Sequence, residues 1–189
     1  MDVTKHEQIL AVASRLFLRE GVQAVAMNRV AAEAEVAPMT VYRQFGSKER
    51  LVAAVVEEGS VRSLRWLADR LDPGGRDPRA SLAGLGDVLN DWLAAETCNS
   101  SLISGVAIEL RGNGDHPAHK AVEAHRASMR QLLEDLAGRA GVTDPRLLAA
   151  QLQFLFEGAA TAALAGQSPA AAEGVRALVG ATLAAGSSQ

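Results

Sequence analysis

The sequence predicts an all-α chain in two parts: an N-terminal three-helix helix-turn-helix domain over residues 1–47 and a larger helical domain over residues 48–189. Three observations predict it. Apolar residues recur at helical spacing almost throughout, while β-branched and aromatic runs are short. The breaks between these stretches, "DPGGRDP", "TCNSS", "GNGDHP", "GVTDP" and "GQSP", are all turn chemistry. The chain has 189 residues, 48% of them hydrophobic, which is enough for a sizeable core.

The first helix is expected over about Thr4 to Glu20, with Ile9, Ala13, Leu16 and Phe17 on one face and Gly21 as a left-handed stop. "MNRVAAEA" fits a second, short helix with Val30, Ala31 and Ala34 inward. A tight turn at Glu35 and Val36 leads to a third helix, Pro38 to Phe45, which starts on the proline favoured at a first helical position and ends at Gly46. Ser47 then caps a long fourth helix, Lys48 towards Leu71, burying Leu51, Val55, Leu64 and Leu67. Beyond the loop at Asp72 to Pro78, helices are expected at about Arg79–Glu96, Ser101–Arg111, Pro117–Ala140, Asp144–Ala165 and Pro169–Ala185. Three short front helices are too small to bury their own surface, so the fourth joins them to the body.

Composition bounds the function. The net charge of −3 supplies no global basic field, so any nucleic-acid role has to rest on a local patch. The single cysteine, Cys98, forms no disulfide within the chain and is expected to be a small buried residue. The start lacks a basic cluster followed by an apolar run, and the tract "GAATAALAG" falls far short of a membrane span. A cytoplasmic protein without membrane contact is expected. His116 and His119 read as solvated turn residues, and His125 with Glu123 as a helix-surface pair. There is no Gly-rich phosphate loop, zinc spacing or hydrolase elbow. Neither metal, cofactor nor enzymatic activity is therefore expected.

The third helix raises the functional question. On a wheel of about 100° per residue, Pro38, Val41 and Phe45 face the core. Met39 and Arg43 point the opposite way, flanked by Thr40 and Tyr42. Scattered apolar residues on a surface need no special cause, so partner contact or incidental exposure is one explanation. The other is that this face lies against DNA. Two short helices joined by a tight turn make a helix-turn-helix whose second helix fits the major groove. Ala37 to Lys48 carries Arg43 and Lys48 and no acid, in an acidic chain. Lys48 opens a helix, where the dipole disfavours a cation unless a phosphate is bound there.

The residues Phe17, Gly21, Val30, Ala31, Ala34, Val36, Thr40, Val41, Tyr42, Phe45, Ser47, Lys48, Glu49 and Leu51 stand at an ungapped spacing that resembles the DNA-binding domain of the TetR family of bacterial regulators. The resemblance covers about residues 5 to 55; the remainder matches only in its helical pattern. It implies an N-terminal DNA-binding domain and a C-terminal ligand-binding and dimerisation domain. It implies that Asn28, Pro38, Met39, Thr40, Tyr42 and Arg43 approach base edges or nearby backbone, and that Tyr42, Gln44 and Lys48 grip phosphates. By chemistry alone, Asn28 suits adenine, Arg43 guanine or phosphate, and Met39 a thymine methyl. The chain departs from the family pattern where Val25 and Ala37 replace hydroxyl residues at the starts of helices two and three. It departs again where Glu35 replaces a turn glycine and Gln44 a histidine.

One such head presents few cations. Two heads on a two-fold axis, reading half-sites of a palindromic double-stranded operator roughly 34–36 Å apart, would bind far better, so a homodimer is required. The last two helices, apolar and rich in Ala and Gly, are the expected interface, with Phe154, Phe156 and Leu178 as candidate anchors. An ordinary intrachain core is the alternative. The resemblance further implies a cavity for a small-molecule effector. Trp66, Trp92, Ile103, Ile108, Met129 and Phe154 are its candidate lining, and an apolar or aromatic ligand is expected to release a repressor from its operator. A regulator without such an inducer, and a helical carrier or enzyme, are the rival readings.

Overall fold

A computed structural model of the chain describes residues 4–71, 77–95, 100–165 and 171–186. The described residues form ten helices and no strand: α1 (Lys5–Glu20), α2 (Met27–Glu33), α3 (Pro38–Phe45), α4 (Lys48–Leu71), α5 (Pro78–Ala83), α6 (Leu85–Ala94), α7 (Ser100–Glu109), α8 (Ala118–Arg139), α9 (Pro145–Leu164) and α10 (Ala171–Gly186). They divide into two compact units, Met1–Val61 with Asn99–Ala124, and Arg62–Cys98 with His125–Gln189. The division between these units falls inside α4 and α8. The reason lies in burial. Ile9, Leu16, Phe17, Val30, Val41 and Phe45 share one core with Leu51, Val55 and Val56 of α4, Leu102, Ile103 and Val106 of α7, and Val122 of α8. Helices α1 to α3 lack the partners to cover this surface among themselves.

In the first unit, α1 opens with a capping box. The Thr4 hydroxyl accepts the Glu7 N–H at 3.2 Å, and the Glu7 carboxylate accepts the Thr4 N–H at 2.8 Å. The helix ends at Gly21, whose φ of 83° and ψ of 157° lie outside the left-handed helical region, in a conformation that is essentially glycine's alone. Ala26, not Val25, is the N-cap of α2, and its side chain makes no cap bond; Val25 is a core residue, 1% exposed. Between α2 and α3 the Val36 N–H reaches the Ala31 carbonyl and the Glu35 N–H the Ala32 carbonyl. This is the Schellman pattern, whose C′ residue is left-handed and usually glycine. Here it is Glu35, with φ of 52°. Gly141 fills the equivalent place after α8, with φ of 73°. Ser47 caps α4 as expected, its hydroxyl accepting the Arg50 N–H at 3.3 Å.

His116 is not solvated, and His119 is half-buried. His116 is buried and its Nδ1 accepts the Ala118 N–H at the start of α8. The His119 Nε2–H points at the carbonyls of Asn113 (2.7 Å) and Leu110 (3.1 Å). Both rings thus staple the loop that joins α7 to α8. Burial lowers the His116 pKa, against the opposing pull of Glu49.

In the second unit the helix expected over Arg79–Glu96 is broken at Gly84 into α5 and α6, with the Gly84 N–H closing on the Ala80 and Leu82 carbonyls. Glycine is the weakest non-proline helix former, and Asp77 caps α5 through the Arg79 N–H. Glu96 and Cys98 lie outside the described residues. The core unites Leu67, Leu82, Leu89, Trp92, Met129, Leu133, Leu152, Phe156, Val175 and Val179, and Leu64 is half-buried against it. α9 is long and apolar enough to cross a membrane by composition. Its Leu148, Leu152, Phe156 and Ala159 are nevertheless core residues of this unit. His125 is not a surface partner of Glu123. It is buried, and its charged neighbours are Glu157 of α9 and Arg126. Arg126 pairs with Glu157 at 3.1 Å, and buried Gln153 links Glu157 to Arg130.

Burial, aided by Arg126 and opposed by Glu157, pushes the His125 pKa from 6.5 down to about 4. Between those values the unfolded chain binds the proton and the folded chain does not, so acidification favours unfolding. Parent stability should fall by about 3 kcal/mol more than that of His125→Gln on going from pH 7 to pH 4, measured by denaturant melts at each pH. Glu35→Gly should add about 1 kcal/mol and raise Tm by about 2–4 °C. An unchanged or lower Tm would show that the turn is unstrained.

Candidate nucleic-acid interface

An eight-residue helix does not persist alone in water. α3 is held by Val41 (0% exposed) and Phe45 (6%), each contributing about 1.5–3 kcal/mol of burial. Their spacing fixes the rotation of the helix. Pro38 sits at N1 behind Ala37, which offers no side-chain cap bond, and Gly46 closes the helix with φ of 77° and its N–H on the Tyr42 carbonyl. With one face committed to the core, Met39 is left 74% exposed and Tyr42 42% exposed. Arg43, Gln44 and Pro38 are exposed beside them, and Thr40 is half-buried. Asn28, in the first turn of α2, is exposed as well.

The polar groups here differ in how far they are already engaged. Asn28, Tyr42 and Arg43 make no side-chain hydrogen bond or ion pair among the described residues, so their donors are unspent. Arg29, next to Asn28, is the opposite case: its guanidinium is shared between Glu20 (2.5 Å) and Glu33 (3.3 Å). Lys48 is half-buried, and its ammonium donates to the Gln23 carbonyl at 3.0 Å. Gln44 accepts, through Oε1, from Nδ1 of His6 at 3.2 Å, and its NH2 group makes no hydrogen bond among the described residues. The His6 ring lies stacked on Phe45, centroids 5.0 Å apart and 20° from parallel. His6 escaped the sequence reading because it stands 38 residues from Gln44 with no local pattern to mark it. Chemically, the face offers a thioether, a phenol, a guanidinium and an amide of unused hydrogen-bonding capacity, with an ammonium at one end. That combination suits base edges and phosphates. Glu35, exposed at the preceding turn, is the adjoining negative charge.

The residues expected to line a cavity are dispersed. Ile103 belongs to the core of the first unit, and Trp92 and Met129 to that of the second. The Trp92 N–H is spent on the Ser63 hydroxyl at 3.0 Å. Trp66 is half-buried under the Arg70 guanidinium, 3.7 Å above its ring. Ile108 and Phe154 are 43% and 76% exposed, so neither lines an enclosed space within its own unit. Among the candidate interface anchors, Phe156 is instead a core residue, 1% exposed and 5.2 Å from the Trp92 ring. Two positions along a helix turn the side chain to the far side, which is why Phe154 is outside and Phe156 inside. Leu178 is half-buried.

Comparison with known proteins matches the segment that carries α3. The profile of "Bacterial regulatory proteins, tetR family" matches residues 9–55. An uncharacterized HTH-type transcriptional regulator of Mycobacterium tuberculosis is 28% identical over 142 residues, 74% of this chain. The match spans 66% of that relative's length, and a Mycobacterium bovis relative gives the same values. A Streptomyces avermitilis structure described as a tetR-type transcriptional regulator superposes with a TM-score of 0.77 at 28% identity, over 95% of this chain and 98% of that one. A TetR-family transcriptional regulator from Streptomyces coelicolor shares the fold at a TM-score of 0.81 and 23% identity, over 97% and 96% of the two chains. The profile covers α1 to the first turns of α4, the segment that builds the outward face of α3, and the likeness of fold extends along nearly the whole chain: residues 9–55 match the tetR family of bacterial regulatory proteins, and the chain shares the fold of solved tetR-type regulators.

Proposed function

We propose that the protein is a cytoplasmic DNA-binding transcriptional regulator, a repressor, acting as a homodimer on a palindromic operator. One observation carries the reading: α3 presents Met39, Tyr42 and Arg43 to solvent, with hydrogen-bonding groups unspent, because Val41 and Phe45 are locked in the core. Tyr42, Gln44 and Lys48 hold phosphates and set the register, while Asn28, Pro38, Met39, Thr40 and Arg43 meet base edges or the adjoining backbone. The dimer joins α9 and α10 of two copies. Its support is a stripe of exposed residues on each helix: Leu147, Gln151, Phe154, Gly158 and Thr161 on α9, and Ala177, Gly180, Ala181 and Ala184 on α10. Small residues admit close helix approach, and a groove of about 360 Å³ beside Leu147, Gln151 and Ala181 continues this face.

Release from DNA needs an effector that prefers the non-binding state. An effector that entered the second unit among Trp66, Trp92, Met129 and Phe156 would have to part a packed aromatic core and would itself be apolar or aromatic. The second reading, a regulator without an inducer, is favoured by the tight internal engagement of Trp92, whose N–H already has its partner in Ser63.

Fluorescence anisotropy with a duplex from the gene's own upstream region tests the DNA-binding reading. The parent should bind, and Tyr42→Ala with Arg43→Ala should weaken binding about 100-fold, the loss of two charge-assisted contacts, at unchanged Tm. A parent that ignores every duplex at low salt contradicts it. Sedimentation tests the dimer: Phe154→Glu should convert it to monomer and lower operator affinity, whereas an unaltered dimer would place the interface elsewhere.

A further inference from the structure

We infer that Glu109 of α7 is a positioning residue for DNA binding, acting through the backbone of Gln23 on the ammonium of Lys48; the inference rests on the DNA-binding reading above. Three hydrogen bonds, all inside the first unit, form the chain of contacts. Glu109 Oε1 accepts the Val22 N–H at 3.0 Å, and Oε2 accepts the Gln23 N–H at 3.2 Å. The Gln23 carbonyl accepts from Lys48 Nζ at 3.0 Å. Both main-chain polar groups of Gln23 are therefore held, one by an acid 86 positions away and the other by the first residue of α4.

The fit depends on what is absent at Gly21. A Cβ there would stand 2.9 Å from Glu109 Oε1, and the φ of 83° excludes other residues in any case. Consecutive backbone N–H groups converging on one point make a small anion-binding concavity. Here the anion is supplied from within the chain, and hydrogen bonds to a carboxylate are stronger than neutral ones.

The consequence falls on Lys48. Lysine is a point charge on a flexible stem, and its ammonium has several donors. One donor is spent on the Gln23 carbonyl, which fixes the charge beside the end of α3 and leaves the others for a phosphate. When Glu109 releases the Gln23 backbone, the acceptor that places Lys48 is no longer fixed. The loop entering α2 is freed by the same change, so α7 sets the geometry of a phosphate contact it does not itself make.

Glu109→Gln keeps the side-chain size, but its amide accepts at one atom only and turns an NH2 group on a backbone donor. With a duplex of mixed sequence, affinity should fall about fivefold at about 0.15 M salt, and the slope of log K against log salt should become shallower by about 0.9, the signature of one phosphate contact. In the Lys48→Ala background the same substitution should change neither quantity further. If Glu109→Gln does not fold, Glu109→Asp, which keeps the charge with a shorter reach, goes through the same cycle with the same expectation. An unchanged slope, or an equal loss in both backgrounds, would mean that Glu109 only supports the fold and would overturn the inference. A parent that binds no duplex would instead remove the DNA-binding reading and the inference together.

Discussion

The burial of Val41 and Phe45 determines how α3 faces the world. Two side chains one helical turn apart, at 0% and 6% exposure, leave the helix no freedom to rotate about its axis. Everything on the opposite side is then outward by geometry, whatever its chemistry. Met39 stays exposed, and Arg43 makes no ion pair among the described residues although the chain is acidic overall. The two helices of the helix-turn-helix owe little to their N-caps. Ala26 and Ala37 are N-caps without a side-chain bond, each forgoing about 1 kcal/mol, and Glu35 holds a left-handed turn. The segment from α2 to α3 is thus stabilised by its core contacts more than by its N-caps.

Those contacts come from beyond the three helices themselves. Leu51, Val55 and Val56 of α4 and Leu102, Ile103 and Val106 of α7 complete the first core. The front of the chain is therefore a head built from two separated stretches of sequence. Such a build makes residues of α7 and the α7–α8 loop structural partners of the segment that carries α3. His116 and His119 pin that loop to its own backbone, and buried His116 sits in the field of Glu49, one residue from Lys48.

Where local chemistry decides, the sequence was a sufficient guide. The spacing of Ile9, Ala13, Leu16 and Phe17 marked the buried face of α1. Pro38 and Gly46 bracketed α3, and Ser47 announced α4. The wheel placed Val41 and Phe45 inward and Met39, Tyr42 and Arg43 outward as found, but it also put Pro38 on the core face, where the structure has it exposed at the first turn. What stayed hidden depends on distant partners. His6 and Gln44 are 38 residues apart and Glu109 and Gln23 are 86 apart, and neither pair carries a local signal. The division inside α4 and α8 depends on which helices share a core. Apolar spacing also could not separate Phe154 from Phe156 as surface and core, since α9 is apolar nearly all round. Gly84 broke an expected helix because its weak propensity met a capped turn at Asp77 and a second helix start. His125 read as a surface residue because nothing local shows that α9 covers it.

The account stands on the outward face of α3 being the surface that meets DNA. The most direct measurement is a backbone amide NMR titration of the full-length protein with a duplex from its own upstream region. The largest shifts should fall within α3 and at the start of α2, with those of the second unit's core, around Trp92 and Phe156, smaller. Shifts centred on the second unit, or none at low salt, would contradict the account.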